Sequence, residues 1–168
     1  MRLRSLITLP IAAIALAACQ QAPAQDEAAD RAEIHALLTA YGSTLDTRDF
    51  DGFAALFAED GTYNGTSGAQ AGEMMRGVFA ENALGIREPN FHVFFNEVIT
   101  LDGPDEAHAT SMSFYVAPDA ENRPQPILMA SYDDQLVREN GDWKFANRTV
   151  NSLIPAPAPP AAENAAAE

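Results

Sequence analysis

The feature that most limits how this chain can fold is a change in its hydrophobic pattern after about residue 85. Before this point, apolar residues recur at the spacing of one helix face. After it, four longer stretches are typical of β-strands, with apolar and polar residues alternating along them. These stretches are residues 90–101, 107–116, 127–138 and 143–152. Helices followed by an antiparallel meander predict the α+β fold class.

Turn residues separate the predicted strands. Asp102-Gly103-Pro104-Asp105 follows the first strand, and Pro118–Pro126 follows the second. Asn140-Gly141 is the strongest hairpin signal, because both residues accept the left-handed backbone that a two-residue hairpin turn requires. We therefore expect N-terminal helices packed in a curved, mostly antiparallel sheet, with an interior cavity between them.

A long amphipathic helix is predicted in the first half of the chain. Its apolar face comprises Ile34, Leu37, Leu38, Tyr41 and Leu45. The capping-box spacing of Asp30 and Glu33 marks its start, although the alanines before it allow a start one turn earlier. The helix is expected to end near Arg48.

Shorter elements are predicted to follow this helix. Asp51 is expected to cap a second, short helix with Phe53, Leu56 and Phe57 on its apolar face. Residues 62–65 then predict a brief strand, and residues 68–72 predict a loop. A third helix containing Met74, Met75, Val78 and Phe79 is expected to close near Gly85.

The first 19 residues have the three parts of an export leader. Two arginines give it a positive start, and the apolar run Leu6–Ala18 is too short to span a bilayer comfortably. The run ends on Leu16-Ala17-Ala18-Cys19, which resembles the lipobox of bacterial lipoproteins. Residues 1–18 are therefore predicted to be a lipoprotein signal peptide, and Cys19 the lipid attachment site. The alternative is an ordinary secretory leader cleaved near Ala22-Pro23-Ala24.

Lipid on Cys19 would anchor the protein to a membrane, since each buried methylene group contributes about 0.8 kcal/mol. Gln20 stands where an aspartate would indicate retention in the inner membrane, so we expect an outer-membrane lipoprotein that faces the periplasm. Residues 19–26 are predicted to be a tether, and residues 155–168, rich in Pro and Ala, a disordered tail. The folded domain is expected to span residues 27–154.

Charge and histidine spacing restrict the partners. Ten Lys and Arg oppose 24 Asp and Glu, a formal net charge of −14, which repels a phosphate backbone, so no nucleic-acid partner is expected. Cys19 is the only cysteine, so neither an internal disulfide nor a cysteine-based metal site is possible. His35, His92 and His108 are far apart, and no nucleotide-binding loop is present. Neither a metal nor a cofactor is expected.

Four pieces of the chain follow one another in a recognisable order and spacing. They are Ala32–Tyr41, Leu45–Gly61, Phe91-His92-Val93 and Tyr132–Arg148. Together they resemble the SnoaL-like, scytalone-dehydratase-like branch of the nuclear transport factor 2-like superfamily. The resemblance implies a cone-shaped α+β barrel, usually dimeric, with a pocket between the long helix and the inner face of the sheet. The superfamily contains dehydratases, isomerases, cyclases and ring-oxygenase subunits beside members that only bind, so fold alone does not fix the activity.

The resemblance also implies candidate site residues. In dehydratase-like members, an aspartate near the end of the first helix works with a histidine on the strand after the third helix. The matching positions are Asp46 and His92. A carboxylate bonded to one imidazole nitrogen fixes the tautomer, so the other nitrogen can move a proton at neutral pH. Tyr41, Tyr63 and Tyr132 are expected to contact the substrate.

The chain departs from the dehydratase pattern at one position. Those enzymes use a second histidine on the following strand, and the matching place, near Ala117, holds none; His108 lies early on that strand and is expected at the surface. One proton-transfer group would still serve an isomerisation or an aldol-type cyclisation. Structural explanations also stay open. Asp46 would then bond the backbone or Arg48 at a helix end, and His92 would be a hydrogen-bonded core residue.

Three functions follow from these features. The first is a membrane-anchored periplasmic domain that binds a small apolar or aromatic molecule in its cone. The second is a lyase or isomerase that acts on a carbonyl substrate by proton transfer through Asp46 and His92. The third is a non-catalytic, protein-interaction lipoprotein that fills the cone with its own side chains. A homodimer is expected.

Overall fold

The computed structural model describes residues 26–155. The predicted signal peptide, Cys19 and nearly all of the predicted tether and tail lie outside the described residues. Within residues 26–155, no helix is both long enough and apolar enough to cross a membrane.

Three helices and six strands make up the described part of the chain. The helices are α1 (Glu27–Asp46), α2 (Phe50–Ala54) and α3 (Gly68–Glu81), and the strands are β1 (Phe57–Tyr63), β2 (Thr66–Ser67), β3 (Phe91–Leu101), β4 (Glu106–Pro118), β5 (Pro124–Glu139) and β6 (Asp142–Ile154). The strands form one sheet in the order β2-β1-β6-β5-β4-β3. All neighbouring strands are antiparallel except β1 and β6, which are parallel. The predicted α+β class and mostly antiparallel sheet are confirmed.

The inner face of the sheet packs over α1, and the core lies between them. Along β4, buried and more exposed residues alternate, so every second side chain lies on the inner face of the sheet. Fully buried Ile34, Phe53 and Phe145 are among the largest core residues. The β5–β6 hairpin turns at Asn140 and Gly141, both with the positive φ expected for a two-residue turn.

The first helix begins earlier than the capping box predicts. The Asp26 carboxylate accepts hydrogen bonds from the backbone N–H groups of Ala28 and Ala29, at 3.1 and 3.2 Å, and so caps the helix one turn earlier. Asp30 is instead buried in an ion pair with Arg138. Asp30 therefore stabilises a tertiary contact rather than the start of the helix.

Two further local predictions are wrong. Asp49, not Asp51, caps α2, because its carboxylate accepts from the Gly52 N–H at 2.9 Å. Gly68–Gly72, predicted as a loop, forms the first turn of α3. A Cβ at Gly68 would lie 2.6 Å from the Phe57 Cβ, so these small residues serve close packing rather than chain flexibility.

Candidate functional site

A cavity of about 470 Å³ lies between α1, α3 and the inner face of the sheet. Its apolar walls include Leu45, Met75, Phe79, Leu128, Ala130 and Val150. Its polar lining includes Tyr41, Arg48, Tyr63, His92, Tyr115 and Tyr132. A cavity of this size with apolar walls and a few polar groups is typical of small-molecule sites.

Asp46 and His92 form the central polar pair of the site. Asp46 is the last residue of α1 and His92 the second residue of β3. Asp46 Oδ1 lies 2.7 Å from His92 Nδ1, and Asp46 Oδ2 accepts the His92 backbone N–H at 3.0 Å. Both side chains are largely buried. The carboxylate thus holds both the imidazole ring and the start of its strand.

This contact determines what the imidazole offers a ligand. An ionised carboxylate only accepts hydrogen bonds, so Nδ1 carries the proton of the neutral ring. His92 Nε2 is then an acceptor, and among residues 26–155 no hydrogen bond engages it. Because His92 lines the cavity, Nε2 is available to accept a hydrogen bond or a proton from a bound molecule.

The three predicted substrate-contacting tyrosines lie around the same cavity. Tyr41 and Tyr63 pair through their hydroxyl oxygens at 3.3 Å, and the Tyr132 hydroxyl lies 2.8 Å from Ser113 Oγ. In a pair of hydroxyls only one proton lies between the oxygens, so one of the Tyr41 and Tyr63 protons remains to be donated elsewhere. Burial is the main cause that raises the pKa of Tyr41, Tyr63 and Tyr132. These phenols therefore stay protonated at neutral pH and can donate.

A fully buried ion pair lies beneath these tyrosines. Arg148 and Asp134 occupy opposed positions of β6 and β5, and Arg148 Nε lies 3.5 Å from Asp134 Oδ1. The guanidinium carbon is 3.9 Å from the Tyr41 ring centroid and 4.4 Å from that of Tyr132. Burial raises the pKa of the Asp134 carboxyl to about 6, against the opposing effect of Arg148. Arg148 is thus paired with an acidic neighbour on the sheet.

Two cavity residues were not singled out from the sequence. Tyr115 lies opposite His92 in the β3–β4 ladder, and Arg48 lies just beyond the end of α1. Arg48 donates to Glu88 and Asn90, at 3.1 and 3.0 Å, and so ties the end of α1 to the segment before β3. The alternation along β4 could have placed Tyr115 on the inner face. Its position beside His92 follows only from the register between β3 and β4.

The remaining histidines lie away from the cavity. His108 is exposed, with Nδ1 2.8 Å from Asp102 Oδ2, and His35 Nδ1 lies 2.9 Å from Glu97 Oε1. Ala117, where the dehydratase pattern expects a second histidine, is buried. Over residues 26–155, no group of three His, Cys, Asp or Glu side chains could hold a metal ion.

The structure therefore brings five of the six predicted site residues together. Tyr41, Tyr63, His92 and Tyr132 line the cavity, and Asp46 supports His92. The sixth, Cys19, lies outside the described residues. The Asp46 carboxylate accepts hydrogen bonds from both the backbone N–H and the ring Nδ1 of His92. One carboxylate therefore both fixes the start of the strand and orients the imidazole.

Residues 26–149 match the model of the SnoaL-like domain family. Among curated proteins, no sequence matches the chain significantly.

Several solved structures share the fold. One is a protein of unknown function from Mycobacterium tuberculosis, 24% identical, with a TM-score of 0.64 over 78% of this chain and 76% of that one. Another is an NTF2-like protein with a cystatin-like fold from Novosphingobium aromaticivorans, 20% identical, with a TM-score of 0.66 over 76% and 84%. A candidate scytalone dehydratase from the same organism is 23% identical, with a TM-score of 0.62 over 75% and 85%. At these identities the likeness establishes the fold alone.

Proposed function

The chain belongs to the SnoaL-like domain family, and we propose that it is a membrane-anchored periplasmic domain that binds a small apolar or aromatic molecule in its cone. The observation that carries the proposal is the open cavity, with apolar walls and a few buried polar groups. The third function, a protein-interaction lipoprotein with a filled cone, is supported less well, since the cone holds about 470 Å³ of space.

Binding is tested with neutral aromatic molecules against the full chain. N-phenyl-1-naphthylamine is expected to bind saturably with one site per chain. His92→Ala is expected to change its dissociation constant by no more than about threefold, because apolar walls supply most of the contact. Absence of saturable binding by a broad set of neutral aromatic molecules would contradict the proposal.

The second candidate function is a lyase or isomerase that acts on a carbonyl substrate. The contact of 2.7 Å between Asp46 Oδ1 and His92 Nδ1 favours it, because it leaves Nε2 free to take a proton. In this reaction Nε2 removes a proton from the carbon next to a carbonyl, a tyrosine hydroxyl stabilises the enolate oxygen, and the imidazolium returns the proton to another carbon. The electron pair of the broken C–H bond moves into the enolate.

Proton exchange tests this second function without a known substrate. If it holds, the wild type accelerates deuterium uptake from heavy water into small aromatic ketones. His92→Ala and Asp46→Asn should each slow this uptake by about 100-fold or more while the protein stays folded. His108→Ala, at an exposed histidine, is the matched control. Full activity in both site variants would rule out the assignment.

The anchor rests on the lipobox sequence. Cys19→Ser is expected to move the protein from the outer-membrane fraction to the soluble periplasm, because the thiol that takes the lipid is lost. A variant that stays with the membrane would contradict lipid attachment at Cys19.

A further inference from the structure

Tyr115 and His92 form a side-by-side pair within the cavity. They are directly opposed in the β3–β4 ladder, and both line the cavity. Their ring centroids are 4.7 Å apart and the ring planes are inclined by 36°. Because both rings stand on the inner face of adjacent strands, one bound molecule can contact both.

The proton of the buried Tyr115 hydroxyl has no acceptor. Tyr115 is 6% exposed, and among the described residues no group accepts a hydrogen bond from its Oη. Arg48 is near enough to affect this hydroxyl electrostatically and to donate to its oxygen, but a guanidinium cannot accept the phenolic proton. Buried hydroxyls are nearly always hydrogen-bonded, to protein or to another molecule in the site. The phenolic proton therefore marks a position where a bound molecule supplies the acceptor.

The two side chains offer complementary hydrogen bonds. Burial is the largest effect on Tyr115 and raises the pKa of its phenol, so the hydroxyl keeps its proton and donates. His92 Nε2 accepts, because Nδ1 carries the proton toward Asp46. The pair thus presents a donor directly beside an acceptor.

We propose that Tyr115 and His92 together recognise two adjacent oxygens on an aromatic molecule: Tyr115 Oη–H donates to an ether or carbonyl oxygen, and His92 Nε2 accepts from the neighbouring hydroxyl group. This inference rests on the proposed binding function and names its ligand class. A molecule with the same two groups at opposite ends of its ring cannot reach both side chains. Tyr115 is then the residue that sets specificity, while the apolar walls supply most of the affinity.

The experiment compares two isomers, guaiacol (2-methoxyphenol) and 4-methoxyphenol, by NMR titration of the full chain. The wild type is expected to bind guaiacol about three- to tenfold more tightly, the effect of one added hydrogen bond. Tyr115→Phe removes only the hydroxyl and keeps the ring against His92. It should weaken guaiacol binding by that factor and leave 4-methoxyphenol unchanged. His108→Ala is the surface control and should change neither.

The outcomes separate this inference from the binding function. If Tyr115→Phe keeps the full preference for guaiacol, or if the wild type binds both isomers equally, the assignment of Tyr115 is wrong while binding stands. If the wild type binds neither isomer nor N-phenyl-1-naphthylamine, the binding function fails and the inference fails with it. If Tyr115→Phe does not fold, the test uses the wild type alone. It should prefer guaiacol and show nuclear Overhauser contacts between the guaiacol methoxy group and the Tyr115 ring. Their absence overturns the inference.

Discussion

Arg148 and Asp134 place two opposite charges in the interior of a small domain, and both side chains are fully buried. A buried ion pair offsets its desolvation only when its hydrogen-bond geometry is good. Here Nε and Oδ1 are 3.5 Å apart, and neither side chain makes a hydrogen bond among the described residues. The guanidinium is instead surrounded by the rings of Tyr41, Phe94, Tyr132 and Phe145. Cation–π contacts gain strength when desolvated, so the rings stabilise the charge of Arg148 alongside the carboxylate.

The raised pKa of Asp134 predicts a pH-dependent stability. The carboxyl has a reference pKa of 3.8 and a folded-state value of about 6, so the folded protein holds this proton more strongly than the unfolded chain does. Its stabilising contribution is present below about pH 4 and is lost as the pH rises through about 6. The unfolding free energy of the wild type minus that of Asp134→Asn should therefore fall by about 2 kcal/mol between about pH 4 and 7.

Urea unfolding of both proteins across this pH range measures the difference. Asn has nearly the same shape as Asp but does not titrate, so the common pH dependence of the other carboxylates cancels in the comparison. A difference that stays constant or rises with pH would contradict the buried, proton-holding state of Asp134.

At the scale of single residues, the contacts that could be predicted from the sequence are those between residues that the family resemblance identifies. Asp46 and His92 are 46 positions apart, and only the resemblance brings them together before the structure does. Tyr115 could not be assigned in the same way, because its position beside His92 depends on the register between β3 and β4. That register shifts at an irregularity after Phe95, which alternation alone does not locate.

The approach of α1 to β3 is the contact between elements that places the site. It occurs at Gly42, where an added Cβ would lie 2.8 Å from Phe94 Cε2 and 3.1 Å from His92 Cβ. The absence of a side chain lets the helix lie close to the strand. One turn later, Asp46 reaches His92 at the start of that strand.

Two glycine substitutions test this packing against helix propensity. Alanine favours a helix interior over glycine by about 1 kcal/mol. Gly77→Ala in α3, with no atom within 4 Å of the added Cβ, should raise the free energy of unfolding by this amount. Gly42→Ala should instead lower the free energy of unfolding by about 1–3 kcal/mol, since overpacking moves His92 and Phe94. Thermal or urea unfolding compares them, and equal stabilisation by both would show that α1 does not need the close approach.

The elements themselves were predictable to different degrees. The four long strands lie close to their predicted positions because alternation and turn residues are local signals. The capping-box spacing places the start of α1 one turn late because Asp30 has a distant partner, whereas the earlier start that the alanines allow is the observed one. The first turn of α3 was misplaced because a distant contact determines it. Asp30 pairs with Arg138, 108 positions later, and Gly68 packs on Phe57.

At the scale of the whole molecule, the outer face of β3 is an exposed apolar surface. Phe91, Val93 and Val98 are 53%, 50% and 60% exposed. Val93 is paired across the ladder with Phe114, whose side chain is on the same outer face. Two chains of net charge −14 repel each other, so an uncharged face is where two copies can approach. We propose that a second copy covers this face, as the family resemblance implies.

Val93→Glu tests the dimer without touching the cavity. A charge in the centre of an apolar interface costs desolvation and repels the partner, so the variant should be monomeric at concentrations where the wild type is dimeric. Sedimentation of the wild type is also expected to show tighter association at higher salt, which screens the like charges. A wild type that stays monomeric, or a Val93→Glu dimer of unchanged affinity, would contradict the proposal.

The cone is proposed to bind a small molecule. The most direct test is to fill the cone with a larger side chain and to measure binding. Leu128→Trp adds bulk at a cavity wall, whereas Ile154→Trp adds the same side chain at an exposed position outside the cavity and outside the β3 face. In fluorescence titrations with N-phenyl-1-naphthylamine, the wild type and Ile154→Trp should bind with equal affinity, and Leu128→Trp should bind at least about tenfold more weakly. Equal binding by all three folded proteins, or none by the wild type, would show that the cavity is not the site.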